Sequence, residues 1–83
     1  MTILPVHPDI TEYLTRRNLL KKFTKQIRFL ETNPKHPSLN VELMEPKTKG
    51  IYSFRIDRKY RALFIFRDDK NAVEILSATD HYQ

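Results

Sequence analysis

The fold is decided by the C-terminal stretch Gly50–Gln83, which reads GIYSFRIDRKYRALFIFRDDKNAVEILSATDHYQ. It predicts three successive strands, over about 51–57, 60–66 and 72–78, joined by polar turns. The middle strand is almost continuously apolar and aromatic, which is typical of a strand covered on both faces or nearly so. Arginines nevertheless lie inside this strand pattern. We therefore expect helices on one face of the sheet, and arginines, a carboxylate and a histidine on the other.

The two arginines, Arg55 and Arg61, lie on either side of the first turn. Directly opposed residues of an antiparallel pair point to the same side of the sheet. If residues 57–59 form the loop, Ile56 opposes Tyr60 and the two arginines oppose each other. A loop of two or four residues would place the arginines on opposite faces.

An odd loop is favoured by the residues at its centre. Arg58 and Lys59 would be the central residues of a two-residue hairpin, and such turns prefer Gly, Asn or Asp. With an odd loop, Arg55 and Arg61 share a face, and an anion between them would relieve their repulsion. The pair is then a candidate phosphate clamp. The alternative is that one of the two forms a surface ion pair with Glu42, Glu74 or Asp80, which contributes little.

Upstream of the sheet, the sequence predicts two helices. Pro8 suits the first position of a helix over about 8–16. Asn18 is predicted to cap a second helix that ends before Pro34. The apolar stripe of this second helix has helical spacing and comprises Leu19, Leu20, Phe23, Ile27 and Leu30. An antiparallel hairpin follows from the short connection, with a single bent helix over 8–32 as the alternative.

Two further segments complete the expected architecture. Residues 2–6 could form a short edge strand, because an edge tolerates proline. The alternation of Leu39, Val41 and Leu43 with polar residues indicates a short strand or an extended segment.

Composition narrows the class of protein. The 83 residues fit one domain, 1–83, and the net charge is +5 with no cysteine. A basic domain favours an anionic partner, nucleic acid first, although a lysine-rich surface alone gives the same charge. The three histidines lack metal-ligand spacing, so we expect no metal and no cofactor. Neither a membrane span nor a signal peptide is indicated, which predicts a soluble cytoplasmic protein.

The segments NPKHPSL and GIYSFRIDRKYRALF, a further apolar strand and the terminal His81-Tyr82 together resemble the RelE/ParE superfamily of bacterial toxins from type II toxin–antitoxin modules. The resemblance implies an α+β fold, in which an N-terminal helical hairpin packs on a twisted, mainly antiparallel sheet of about four strands. RelE-, YoeB- and HigB-like members cleave mRNA in the ribosomal A site, whereas ParE-like members poison DNA gyrase. The end of this chain is most similar to the YoeB-like branch, which favours the ribonuclease.

The resemblance also implies roles for individual residues. Glu42 falls at the position of the catalytic glutamate of that branch, with Glu45 as the alternative. Arg61 falls at its phosphate-binding arginine, and Arg55 lies where relatives often have a basic residue. His81-Tyr82 matches its terminal pair.

These positions suggest a metal-independent endoribonuclease that uses the 2′-hydroxyl of the RNA as nucleophile. Glu42 would be the base and His81 the acid, because an unperturbed histidine titrates near neutrality. Arg61, with Arg55, would stabilise the charge that develops on the phosphate. Tyr82 would stack on a base or orient the phosphate.

The implied partners are a cognate antitoxin, the ribosome and mRNA, without a membrane. The alternative is a binding protein that is not a nuclease: a gyrase inhibitor with DNA gyrase as partner, or a non-toxic relative. Six basic residues of the predicted helices are candidate contacts to ribosomal RNA, unless they form an ordinary solvated face. They are Arg16, Arg17, Lys21, Lys22, Lys25 and Arg28.

Overall fold

A computed structural model gives the structure of residues 1–80 of the chain. Two α-helices and five strands follow one another, with short 3₁₀ turns at Pro37–Leu39 and Lys47–Lys49. In chain order the elements are β1 Thr2–Ile3, α1 Pro8–Arg16, α2 Leu20–Thr32, β2 Glu42–Leu43, β3 Tyr52–Arg55, β4 Arg61–Arg67 and β5 Ala72–Thr79.

The five strands form one sheet in the order β1-β5-β4-β3-β2. β1 pairs with β5 in parallel, and the other three pairings are antiparallel. The α+β class and the mainly antiparallel sheet are confirmed, with five strands where about four were expected. The two edge strands, β1 and β2, are short, since each spans only two residues. As predicted, the N-terminal strand lies at an edge.

The predicted helical hairpin is confirmed as two separate helices. Pro8 occupies the first turn of α1, and Nδ1 of His7 accepts a hydrogen bond from the N–H of Asp9 at 3.0 Å. No helix within residues 1–80 combines the length and the apolar composition that crossing a membrane requires.

The predicted cap of the second helix is wrong. Leu19, not Asn18, is the N-cap residue of α2, and it makes no side-chain capping bond. Asn18 instead adopts a left-handed conformation with φ of 58° in the joint. Asparagine tolerates this conformation better than most residues, so it serves the reversal of the chain rather than the helix end.

The core lies between the helices and the face of the sheet that carries alternate apolar residues. Phe54 of β3 and Phe64 of β4 are fully buried, with their rings 5.8 Å apart, and Phe23 of α2 lies 6.0 Å from Phe54. Full burial of such a side chain contributes about 1.5–3 kcal/mol. Because side chains alternate along a strand, packing of this face on the helices directs the intervening residues to the opposite face.

Candidate functional site

Arg55 of β3 lies directly opposite Arg61 of β4, as the odd loop predicts. The N–H of Ile56 donates to the carbonyl of Tyr60 at 3.0 Å, which closes a three-residue loop over 57–59. Asp57 holds this loop, because its Oδ1 accepts hydrogen bonds from the N–H groups of residues 59 and 60 at 2.9 and 2.8 Å. Both arginines therefore belong to the face of the sheet that does not carry the buried phenylalanines.

The same contacts affect the pKa of the Asp57 carboxyl group. Partial burial acts to raise the pKa of Asp57, but the two backbone hydrogen bonds and nearby Lys22 together hold the pKa below its ordinary value. Nζ of Lys22 lies 3.7 Å from Oδ2 of Asp57. The loop that sets the register of the arginines is thus also tied to α2.

The two arginines differ sharply in exposure. Arg55 is exposed, whereas Arg61 is only 4 % exposed. Nε of Arg61 donates to Oγ of Ser53 at 2.9 Å, and Nη2 donates to the carbonyls of Ser53, at 3.3 Å, and of Asn40. The Arg61 side chain therefore crosses β3 and fastens the segment that precedes β2.

Glu42 completes this cluster from the neighbouring strand. It is half-buried and pairs in register with Ser53, the residue that Arg61 also contacts. The pKa of Arg61 is lowered, chiefly because burial disfavours its charged form. The nearby Glu42 carboxylate acts to raise this pKa, and the positive charge of Arg55 acts to lower it further. Glu45 is exposed and lies beyond the end of β2. The structure therefore brings Glu42, rather than Glu45, to the arginines.

The end of β5 adjoins the same cluster. Thr79 pairs with Arg61 in the β4–β5 register, and Oδ2 of Asp80 lies 3.9 Å from Nζ of Lys59. The predicted acid His81 and the predicted stacking residue Tyr82 lie outside the described residues.

Sequence analysis missed Gln26, which supports the cluster from the side of the helices. Gln26 is 6 % exposed, and its Nε2 donates to the carbonyls of Arg55 at 2.7 Å and of Ser38 at 3.1 Å. It thereby ties α2 to the end of β3 and to the turn that leads into β2. The signal was a polar residue on the buried stripe of α2, between Phe23 and Leu30.

The six predicted RNA-contact residues of the helices are all exposed. Four of them, together with Leu20, line a groove of about 850 Å³ along α2. These four are Lys21, Lys22, Lys25 and Arg28. The other two contact α1, because Arg16 pairs with Glu12 at 3.2 Å and the guanidinium of the C-cap residue Arg17 lies 3.6 Å from the ring centre of Tyr13.

A second groove connects this helix surface with the arginine cluster. It has a volume of about 370 Å³ and is lined by Lys22 and Lys25 of α2, by Arg55, and by Arg58 of the loop. Asp57 is the carboxylate in this groove. Positive charge therefore extends from α2 to Arg55, an arrangement suited to the phosphates of a nucleic acid. Among residues 1–80, no group of three or more His, Asp or Glu side chains is placed to hold a metal ion.

Comparison with known proteins assigns the fold. No protein-family model matches the chain, and no curated protein gives a significant match. Among solved structures, the YoeB/ParE toxin from Agrobacterium tumefaciens has a TM-score of 0.73 at 19% identity, covering 98% of this chain and 96% of that one. The chain has the YoeB/RelE fold. The resemblance inferred from the sequence is thus confirmed at the level of the fold.

Two further structures with the YoeB/RelE fold come from a bacterium and an archaeon. The YoeB dimer from Staphylococcus aureus has a TM-score of 0.71 at 23% identity and covers 98% of this chain and 94% of its own. The archaeal RelE–RelB complex from Pyrococcus horikoshii has a TM-score of 0.72 at 18% identity, with coverages of 94% and 91%. At these identities the comparison concerns the path of the chain and not individual side chains.

On this YoeB/RelE fold, the cluster combines three groups with complementary chemistry. Glu42 offers a carboxylate that can accept a proton, and the exposed Arg55 can bind a phosphate directly. Arg61 contributes a fixed positive charge beneath them, held by Ser53 and Asn40. A buried charge acts more strongly than an exposed one, because less water screens it. The arrangement can therefore bind a phosphodiester and stabilise extra negative charge on it.

Proposed function

We propose that the chain is the toxin of a type II toxin–antitoxin module and cleaves mRNA on the ribosome as a metal-independent endoribonuclease. The observation that carries this proposal is the meeting of Glu42, Arg55 and Arg61 around Ser53 on one face of a YoeB/RelE-like sheet. A carboxylate beside two guanidinium groups suits a reaction that removes a proton and builds charge on a phosphate.

The proposed reaction needs no group from outside the protein and the RNA. Glu42 takes the proton of a ribose 2′-hydroxyl, and the 2′-oxygen forms a bond to the adjacent phosphorus. The bond from phosphorus to the 5′-oxygen then breaks, and His81 supplies a proton to that leaving oxygen. The products are a 2′,3′-cyclic phosphate and a 5′-hydroxyl end. Each acid or base is expected to contribute roughly 10²–10⁴ in rate.

The two arginines have different proposed roles because their exposure differs. Arg55 would contact the non-bridging oxygens directly. Arg61, which is buried and fastened to Ser53 and Asn40, would act as a preorganised charge that does not reorient during the reaction. Tyr82 would stack on a base of the bound RNA.

Two partners belong to the proposal. The basic groove along α2 would bind ribosomal RNA through its phosphates, without reading sequence. A cognate antitoxin protein would inhibit the toxin; this is supported by the structurally similar S. aureus YoeB and P. horikoshii RelE, which were solved as YoeB–YefM and RelE–RelB complexes.

The test is expression of the chain from a tightly controlled promoter in bacteria, followed by mapping of mRNA 5′ ends. We expect growth arrest and new ends at fixed codon positions. Glu42→Gln, Arg55→Gln and His81→Ala should each remove the new ends. The control Lys70→Gln changes an exposed charge in the β4–β5 turn and should leave them unchanged.

Two outcomes would contradict the proposed mRNA cleavage, and a third would contradict the assigned residues. Growth arrest with intact mRNA and broken DNA would indicate a gyrase inhibitor. A folded, well-expressed protein without any toxicity would exclude both toxin activities. If mRNA is cut but the three variants remain active, the assigned residues are wrong.

A further inference from the structure

A concave surface lies on the face of the sheet that also carries the core residues, opposite to the face of Arg55 and Arg61. Its floor is formed by Tyr52 of β3 and Phe66 of β4, whose ring centres are 5.1 Å apart. Pro37 and Val41 form part of its wall, and its volume is about 560 Å³. We call this surface the aromatic pocket.

The pocket exists because the helical layer ends above it. Tyr52 stacks on Phe64, with 5.7 Å between ring centres, so Tyr52 belongs to the same face as the core. Phe64 is fully buried, whereas Tyr52 and Phe66 are only half-buried. α2 ends at Thr32. Two adjacent aromatic rings therefore continue the core outward to a surface that binding could cover.

The rim of the pocket is positively charged. Lys35 and Lys70 line it, and no carboxylate does so among the described residues. An apolar floor with a cationic rim is complementary to a short segment that carries one large apolar side chain between acidic residues. Nucleic acid is the less suitable occupant, because Arg55 and Arg61 belong to the other face of the sheet and one side of the Tyr52 ring is already covered by Phe64.

The pocket is linked to the arginine cluster through one residue. Asn40 lines the pocket, and the carbonyl of Asn40 accepts the hydrogen bond from Arg61. Its side chain also donates to Oε1 of Glu42 at 3.4 Å. A segment bound in the pocket would therefore contact the residue that anchors Arg61.

We propose that the aromatic pocket is the docking site for an acidic segment of a partner protein, which inserts one aromatic side chain between Lys35 and Lys70 onto Tyr52 and Phe66. The proposal locates part of the binding surface for the protein partner described above, and in that respect it rests on the proposed function. It does not depend on ribonuclease activity.

The experiment is a titration of the isotope-labelled 83-residue chain, followed by backbone amide resonances. The probe is a synthetic heptapeptide with one central phenylalanine and three glutamates on each side. The control peptide has serine in place of phenylalanine. We expect the first peptide to shift the amides of Val41, Tyr52 and Phe66, and the control to bind at least about tenfold more weakly, because it cannot fill the pocket.

Charge reversal at the rim gives an independent measurement. Lys35→Glu/Lys70→Glu changes two exposed side chains and should weaken the peptide about tenfold, because attraction at the rim becomes repulsion. The matched control is Lys47→Glu/Lys49→Glu, which makes the same change in net charge at exposed positions outside the pocket. The control pair should reduce affinity by no more than about twofold through the weaker long-range field.

Several outcomes would overturn the proposal. One is that the phenylalanine peptide causes no shifts at concentrations on the order of 1 mM. Another is that both lysine pairs weaken it equally, or that it shifts residues around Arg55 instead of the pocket. A third is that hexauridine RNA shifts Val41, Tyr52 and Phe66 while the peptide does not. The titration contains no ribosome and no mRNA, so failure of the nuclease proposal would leave its result unchanged.

Discussion

Replacing Arg61 with alanine should destabilise the fold much more than replacing Arg55 with alanine, although the two residues lie directly opposite each other. Arg61 is 4 % exposed and makes three hydrogen bonds, two of them to Ser53. Arg55 is exposed, and the contact that Gln26 makes with it is to its backbone carbonyl, which the substitution retains. The comparison therefore separates burial from position in the sheet.

The magnitude follows from the contacts of Arg61. Ser53 is fully buried, so leaving its hydroxyl and carbonyl without this donor costs about 1 kcal/mol each at the low end of the usual range. Loss of two buried methylene groups adds about 1.5 kcal/mol. Removing the buried guanidinium also removes its desolvation cost and its repulsion from Arg55. This offsets roughly 1 kcal/mol of the loss. The expected loss for Arg61→Ala is therefore about 2–3 kcal/mol, against about 0.5 kcal/mol or less for Arg55→Ala.

The assay is urea unfolding of both variants and the wild type, followed by far-ultraviolet circular dichroism, because the chain contains no tryptophan. For a domain of this size, a loss of 2–3 kcal/mol corresponds to a decrease of about 10–20 °C in Tm. Equal losses for the two variants, or a loss below about 1 kcal/mol for Arg61→Ala, would refute the structural role assigned to Arg61. The same measurement shows whether reduced activity of an Arg61 variant reflects chemistry or unfolding.

Three further predictions concern Gln26, Asp57 and Glu42. Gln26→Met should lower the free energy of unfolding in urea by about 1–3 kcal/mol, because the part-buried backbone carbonyls of Ser38 and Arg55 lose their donor, whereas the exposed control Lys25→Met should change it by less than about 0.5 kcal/mol. The folded-state pKa of Asp57 is lowered, so its charge stabilises the fold above the unfolded pKa of about 3.9 and this contribution is lost as the pH falls through the folded pKa. Urea unfolding should therefore show Asp57→Asn to be less stable than wild type at pH 7, with the difference disappearing in acid; a difference that grows in acid would contradict the sign. Glu42→Gln should lower ribosome-dependent mRNA cleavage in a purified translation system by about 100-fold or more.

The strands and the register of the arginines could be predicted because they depend on local geometry. Side chains alternate along a strand, so the number of residues in the loop over 57–59 decides which faces Arg55 and Arg61 share. The residue types at 58 and 59 disfavoured the common two-residue turns. The resemblance put Glu42 at the position of a catalytic glutamate, and the structure pairs Glu42 with Ser53 of β3.

The joint between the helices and the role of Gln26 could not be predicted in the same way. A capping preference describes an isolated helix end, but the chain between α1 and α2 must also reverse direction, and this requirement placed Asn18 in a left-handed conformation. Gln26 lies on the buried stripe of α2, and its partners became identifiable only once β3 and the turn before β2 were in place.

The sequence by itself determined three main strands and favoured two helices and, through an odd loop, two arginines on one face, since each follows from a period or a turn within a few neighbouring residues. Only the tertiary structure decided that Arg61 is buried while Arg55 is exposed. The donors of Arg61 meet Ser53, eight residues away, and Asn40, 21 residues away. Burial depends on which distant segments cover a side chain, and the alternation of residues along one strand carries no information about that cover.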